Sequence, residues 1–224
     1  MFKINNIKKL YKPKCFIFDW DGTLIESDRA LLSAMNATRK KYNKSILTLE
    51  EWKDWVGVTA NEAFPKEFGE EWEQAKADYL ATYQRTHLFK INKKLGAQEL
   101  LNNLKAKDIT SCIISNKSSI LLQKEIFHFN WQQHFFSVIG ANDTNKSKPD
   151  PEPVKKALSL TDMVGNSNIW FIGDNIVDIQ CAKASDCTSV FIGDFKEKSK
   201  QLIPDLIVEN LQQLELIFEA TLKD

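Results

Sequence analysis

The run Cys15-Phe16-Ile17-Phe18-Asp19-Trp20-Asp21-Gly22-Thr23-Leu24 sets two carboxylates one residue apart, directly behind four apolar residues. Paired acids at this spacing suit displacement chemistry, in which one carboxylate attacks and its neighbour gives and takes a proton. The apolar residues read as a strand buried on both faces, and open α/β sheets bind ligands in the crevice beyond the carboxyl ends of such strands. Residues i and i+2 of a strand share a face, so a turn starting at Trp20 is what could aim Asp19 and Asp21 differently. Gly22 lets the backbone turn sharply or approach a phosphate closely. Standing alone, Asp-Gly after a strand is most simply a turn signal.

Three further clusters bear on the choice. Ser115-Asn116-Lys117 places a hydroxyl and an amide where donors to phosphate oxygens are useful, although Ser-Asn alone is a common turn pair. Lys148 lies in Lys146-Ser147-Lys148-Pro149-Asp150-Pro151-Glu152-Pro153-Val154, where prolines stiffen the approach to a helix. A lysine fixed there is a point charge for phosphate and carboxylate; taken alone, it is a surface lysine. The run Ile169-Trp170-Phe171-Ile172 ends in Gly173-Asp174, and Asp178 follows four residues later, on the first turn of the next helix. Acids at a helix start are often only caps. Beside Asp19 and Asp21 they would form an oxygen-rich site suited to magnesium.

These groups need strands that end where the polar clusters begin. Apolar strand candidates recur at Cys15 to Phe18, Ile109 to Ser115, Phe136 to Ile139, Ile169 to Ile172, Ser189 to Ile192 and Leu206 to Val208, with helical stretches between. The alternation predicts an α/β fold built on a mostly parallel sheet, covered on both faces and joined by right-handed crossovers. The segment from Ser27 to Leu88 breaks the rhythm. It has no strand pattern, but it offers helix starts with possible capping boxes at Thr48-Leu49-Glu50-Glu51 and Thr59-Ala60-Asn61-Glu62. Leu31, Leu32 and Met35 fit one helix face, and Trp72, Ala75, Tyr79 and Tyr83 another. An all-helical insertion after the first strand follows.

The composition fits an enzyme with one sizeable core and a small inserted domain: 224 residues, with 30 basic and 30 acidic side chains and a formal net charge of zero. That balance argues for neither nucleic acid nor a membrane surface as partner. The basic stretch Lys8-Lys9-Leu10-Tyr11-Lys12-Pro13-Lys14 reads as a solvated leader. No apolar stretch reaches membrane-spanning length and the amino terminus lacks an apolar signal region, which makes the expected location cytoplasmic. Cys15, Cys112, Cys181 and Cys187 lack metal-type spacing and read as buried, reduced thiols.

In this order the clusters resemble the haloacid dehalogenase-like superfamily, and within it the phosphatase branch with a helical cap, closest in appearance to the phosphoglycolate phosphatase-like subgroup. The resemblance rests on Asp19-Trp20-Asp21-Gly22-Thr23, Ser115-Asn116-Lys117, Lys148-Pro149-Asp150-Pro151, and Gly173-Asp174 with Asp178. Pro204-Asp205-Leu206-Ile207-Val208-Glu209-Asn210-Leu211 is similar to the family's last strand and helix. The resemblance implies a Rossmann-like core over residues 1–26 and 89–224 with a cap over 27–88. It implies that Asp19 is the nucleophile, forming an aspartyl-phosphate, and that Asp21 is the general acid and base. Magnesium would be held by Asp19, the Asp21 backbone carbonyl and Asp174, with Asp178 orienting the ion's water or joining the ligands. Lys148, Ser115 and Asn116 would neutralise and hold the phosphate beside Gly22. Thr23 would donate to Asp21 or fix the turn.

An acid at Asp21 favours cleavage of an oxygen ester, because relatives that break carbon–halogen bonds need none there and those that break phosphorus–carbon bonds use a cap lysine. The implied substrate is a small phosphorylated metabolite. The resemblance places the substrate-reaching cap loop at Trp55-Val56-Gly57-Val58-Thr59-Ala60-Asn61, which is equally a helix-joining turn. A sugar-phosphate mutase would use the same groups but shield the aspartyl-phosphate from water. A non-catalytic phospho-metabolite-binding protein would lack at least one of Asp19, Asp21, Ser115, Lys148 and Asp174, and all five are present. Two positions depart from the pattern: Trp20 is bulkier than the usual aliphatic residue, and Ala184-Ser185 stands where relatives commonly have Ala-Gly. His87, His128 and His134 match no family role and read as surface or packing residues. Trp52, Trp55 and Trp72 read as cap packing.

Overall fold

The structure, a computed structural model, describes residues 11–53, 55, 60–195 and 202–223. The elements run β1 (Cys15–Phe18), β2 (Ile25–Glu26), α1 (Asp28–Lys41), α2 (Leu49–Lys53), α3 (Ala60–Phe68), α4 (Trp72–Thr86), β3 (Asn92–Lys93), α5 (Ala97–Ala106), β4 (Thr110–Ile114) and α6 (Ser119–His128). They continue with β5 (Ser137–Ile139), α7 (Glu152–Leu158), β6 (Ile169–Gly173), α8 (Ile176–Ala184), β7 (Thr188–Ile192), β8 (Leu206–Val208) and α9 (Leu211–Thr221). Among the described residues no helix is long and apolar enough to cross a membrane. The chain divides into two compact units, residues 1–25 with 93–224, and residues 26–92.

The larger unit is built on a six-stranded sheet in the order β5-β4-β1-β6-β7-β8. Every strand pairing in it is parallel. The chain steps outward from β1 through β4 to β5, then crosses to the other side of β1 for β6, β7 and β8. A crevice opens at the carboxyl ends of strands where such an order reverses, so β1 ends at the switch point. Phe18 pairs with Ile113 on one side and Ile172 on the other, which brings the ends of β1, β4 and β6 level.

Each face of β1 is buried, which is why its sequence shows no polar alternation. Cys15 and Ile17 join Cys112, Ile114, Phe171, Val154 and Cys181 in one core layer between the sheet and helices α7 and α8. Phe16 faces the other way, 5.6 Å from the Trp170 ring and edge-on to Phe218 of α9 at 5.3 Å. All four cysteines are free and buried, as their spacing predicts. Burial pushes the Cys181 and Cys187 thiols up to about 12, so they pack as small apolar groups.

The smaller unit holds α1 to α4 around Met35, Trp52, Phe64, Phe68 and Ala75, with Leu31, Leu32, Trp55, Trp72 and Tyr79 packed against them. The tryptophans therefore serve this unit's own core. The first capping box forms as its sequence predicts: Thr48 N–H donates to Glu51 at 2.7 Å, and Glu51 N–H returns to Thr48 Oγ1 at 3.2 Å. Thr59 of the second box, and Val56 to Thr59 of the proposed loop, lie outside the described residues. His87 is buried, stacked on the Tyr83 ring at 4.9 Å.

Candidate active site

The turn that follows β1 is short and closed by the backbone. Leu24 N–H donates to Trp20 carbonyl at 3.0 Å, and Gly22 N–H donates to Ile25 carbonyl at 2.9 Å. This turn separates the two acids that a continued strand would have kept on one face. Asp19 stays at the strand end, anchored through its N–H to Ile172 carbonyl at 2.9 Å, and is buried. Asp21 turns to a different neighbour, the Lys117 ammonium, at 2.7 Å, with 28% of its side chain exposed.

Lys148 reaches Asp19 at 2.5 Å and Asp178 at 2.6 Å, and its own side chain is only 4% exposed. It is held at the backbone by Asn116, whose Oδ1 accepts from Lys148 N–H and whose Nδ2 donates to Lys148 carbonyl, both at 3.1 Å. The Lys148-Pro149 peptide is cis. Asn116 thus binds Lys148 first, a role that the reading of it as a phosphate donor did not include. Ser115 is buried beside it, and its Oγ accepts from Lys117 N–H at 3.1 Å.

Asp178 caps its helix and also pairs with Lys148. Its Oδ2 accepts from Asn175 N–H at 3.0 Å, completing a capping box at the start of α8, while Oδ1 meets Lys148. Asp174 lies at the end of β6, and oxygens of Asp19, Asp174 and Asp178 are all within 4.8 Å of one another. Thr23 donates to Asp174 Oδ1 at 3.4 Å, so of the two roles read for it, donation to Asp21 is not the one seen.

Among the described residues, three carboxylates cluster about the one ammonium that bonds two of them, that of Lys148, which leaves them short of positive charge at contact distance. Burial pushes Asp19 well above the usual carboxylate range, against the pull of Lys148. Burial and the neighbouring Asp178 push Asp174 to about 7. For Lys148, burial alone would lower the pKa, but Asp178 and Asp19 outweigh it and hold the ammonium above its ordinary value.

Gly22 is required by two independent constraints. Its φ is +81°, a region that a side chain disfavours, and a Cβ there would lie 2.1 Å from Asp174 Oδ2. Gly22→Ala should therefore displace Asp174 and cost at least about 1 kcal/mol in backbone strain. Thermal unfolding and turnover measured together check this: both should fall, and an unchanged turnover would show that Asp174 need not stay where it is.

Sequence reasoning passed over Glu125 and treated Lys117 only as a motif neighbour. Glu125 Oε1 and Oε2 accept from Lys117 at 2.9 and 2.7 Å, and Oε2 also accepts from Trp20 Nε1 at 2.6 Å. The signal was available in α6. Leu122, Glu125 and Ile126 form an i, i+3, i+4 buried stripe with a charge in it.

Among known proteins, a family model described as haloacid dehalogenase-like hydrolase matches residues 16–192. A phosphoglycolate phosphatase of Colwellia psychrerythraea is 30% identical over 81% of this chain and 85% of its own length. Pyrophosphatase PpaX of Listeria monocytogenes is 26% identical over 91% of this chain and 95% of its own. Among solved structures, a haloacid dehalogenase-like family hydrolase from Streptococcus pneumoniae superposes with a TM-score of 0.81 at 18% identity, covering 92% of this chain and 99% of that one, which shows the shared fold. With β1, β4 and β6 delivering Asp19, Ser115 and Asp174 to one end of a parallel sheet, the chain belongs to the haloacid dehalogenase-like hydrolase family.

Proposed function

We propose that the protein is a magnesium-dependent phosphatase that hydrolyses a small phosphate monoester through an aspartyl-phosphate on Asp19. The observation that carries this is the division between the two acids: Asp19 lies buried among Lys148, Asp174 and Asp178, whereas Asp21 stands apart, paired with Lys117. Two carboxylates in unlike surroundings take unlike roles. The names of the relatives, a phosphatase and a pyrophosphatase, both describe cleavage of a phosphorus–oxygen bond.

The donor set suits magnesium. Asp19, Asp174 and Asp178 offer only oxygen, crowd within 4.8 Å, and carry more negative charge than Lys148 offsets. Asp19, Asp174 and the Asp21 backbone carbonyl would hold the ion, with Asp178 behind them. When bound, it supplies positive charge that lets a phosphate dianion approach a carboxylate.

The protein's own groups then divide the work. Asp19 attacks phosphorus, the bond from phosphorus to the ester oxygen breaks, and Asp21 delivers its proton to that oxygen as the alcohol leaves. Water next attacks phosphorus and gives its proton to Asp21. The bond from Asp19 to phosphorus breaks, releasing phosphate and regenerating the carboxylate. Lys148 balances charge on Asp19 and on the transferring oxygens, and Ser115 donates its hydroxyl hydrogen to one of them.

Phosphate release from 2-phosphoglycolate, sugar phosphates, nucleotides, pyrophosphate and 4-nitrophenyl phosphate, with magnesium and with EDTA, tests the proposal. At least one ester should turn over only with magnesium. Magnesium should also raise the unfolding temperature by a few degrees, since it binds only the folded arrangement of carboxylates, and Asp174→Asn should remove most of that rise. Equal turnover in EDTA, or the same stabilisation in Asp174→Asn, would refute the metal assignment.

A further inference from the structure

Lys117, Glu125 and Trp20 form a buried polar group to which the steps above assign no role. Lys117 Nζ donates to Asp21 Oδ1 at 2.7 Å and to both oxygens of Glu125, at 2.9 and 2.7 Å. The Trp20 indole N–H donates to Glu125 Oε2 at 2.6 Å. Since Trp20 is covalently next to Asp21, the contacts close a loop from Asp21 through Lys117, Glu125 and Trp20 back to Asp21. The loop is rigid at each corner. Glu125 and Trp20 are fully buried, and the Lys117 side chain is 6% exposed. Trp20 packs edge-on to Trp131 at 5.7 Å and against Phe129 at 6.4 Å. The Lys117 backbone is tied on both sides, by its N–H to Ser115 Oγ and by its carbonyl to Ala141 N–H at 2.9 Å.

A fold does not need this arrangement for stability. Burying a lysine and a glutamate carries a desolvation cost that their pairing barely recovers, and well-packed apolar residues in their place are often as stable. What the loop does provide is geometric: it fixes where the Asp21 carboxyl lies relative to Asp19. Glu125 matches the charge of Lys117, so that Asp21 is held by a neutral pair. An aliphatic residue at position 20 has no side-chain N–H with which to hold Glu125, which gives the departure at Trp20 a physical reason.

We propose that Lys117, locked by Glu125 and Trp20, is the positioning residue that holds the Asp21 carboxyl where it can protonate the departing oxygen. This inference rests on the reading of Asp21 as the general acid. A group positioned within a fraction of an ångström can matter as much as the group itself.

The test exploits how much help a leaving group needs. Phenyl phosphate and 2,4-dinitrophenyl phosphate differ in the acidity of the departing phenol and little in shape, and the dinitrophenolate leaves without a proton. The turnover of both esters is compared in Lys117→Met, Trp20→Phe and Asp21→Asn. Asp21→Asn should lose turnover of phenyl phosphate about 100-fold more than that of the dinitrophenyl ester. Lys117→Met should show the same selective loss, at least about tenfold, with KM little changed, and Trp20→Phe a smaller loss in the same sense. Because Lys117→Met alone strands the buried Glu125, Lys117→Met combined with Glu125→Leu is measured beside it. That pair should fold and show the same selectivity. If Lys117→Met and the double variant slow both esters equally while Asp21→Asn remains selective, the positioning role is wrong and Asp21 keeps its assignment. If Asp21→Asn slows both equally, the acid assignment falls and the positioning role with it.

Discussion

Asp19→Asn should lower turnover by about 10⁴-fold or more on any accepted ester, about 5 kcal/mol of barrier, while the protein remains folded. An amide of the same shape is a far poorer nucleophile than a carboxylate, so the proposed double displacement would lose its first step. Stability should change little for a reason visible in the cluster. Burial already disfavours the Asp19 carboxylate, and Lys148 keeps Asp178 as a partner at 2.6 Å when Asp19 loses its charge. Turnover and thermal unfolding of one preparation check both halves. Loss of activity together with loss of folding would leave the nucleophile unidentified, and near-normal turnover would exclude Asp19 from that role.

Lys148→Met should act on both activity and stability. Among the described residues Lys148 is the one cation bonded to Asp19 and Asp178, and its side chain is almost fully buried. Removing one member of a buried charged group typically costs about 3–5 kcal/mol, because the remaining charges lose their partner without regaining water. Here Asp19, Asp174 and Asp178 would be left together. In EDTA the variant should therefore unfold at a clearly lower temperature than the parent. Magnesium should stabilise the variant more than the parent, since the ion now neutralises what Lys148 did. Turnover should fall by roughly 10³-fold even at saturating magnesium, in the range seen when one preorganised donor to a developing charge is removed. Equal magnesium stabilisation of the two proteins would show that Lys148 and the ion do not share these carboxylates.

The strands of the sheet were legible within about a residue at each end because parallel strands covered on both faces leave unbroken apolar runs. Cys15 to Phe18, Ile169 to Ile172 and Leu206 to Val208 all stand out in this way. The polar clusters were legible because they begin where those runs stop. The contacts of individual side chains were less so. Asn116 clamps Lys148 across 32 residues, and Lys117 meets Asp21 across 96. The first depends on β5 lying beside β4 and the second on β4 lying beside β1, matters of strand order that local pattern does not encode. Thr23 illustrates the same limit: Asp21 is its neighbour in the chain, but the turn carries its hydroxyl to Asp174. Asp178 could be read as a cap or as a site residue from its position on a first helical turn; one of its oxygens caps α8 and the other meets Lys148.

The aspartyl-phosphate proposed on Asp19 is open to direct capture. A single turnover of 2,4-dinitrophenyl phosphate, quenched in acid at the time of greatest dinitrophenolate release and reduced with borohydride, converts a phosphorylated aspartate to homoserine. Peptide mass mapping should then find homoserine at position 19 and unmodified aspartate at position 21. Homoserine at another acid, or dinitrophenolate and phosphate released together with position 19 unchanged, would contradict covalent catalysis by Asp19.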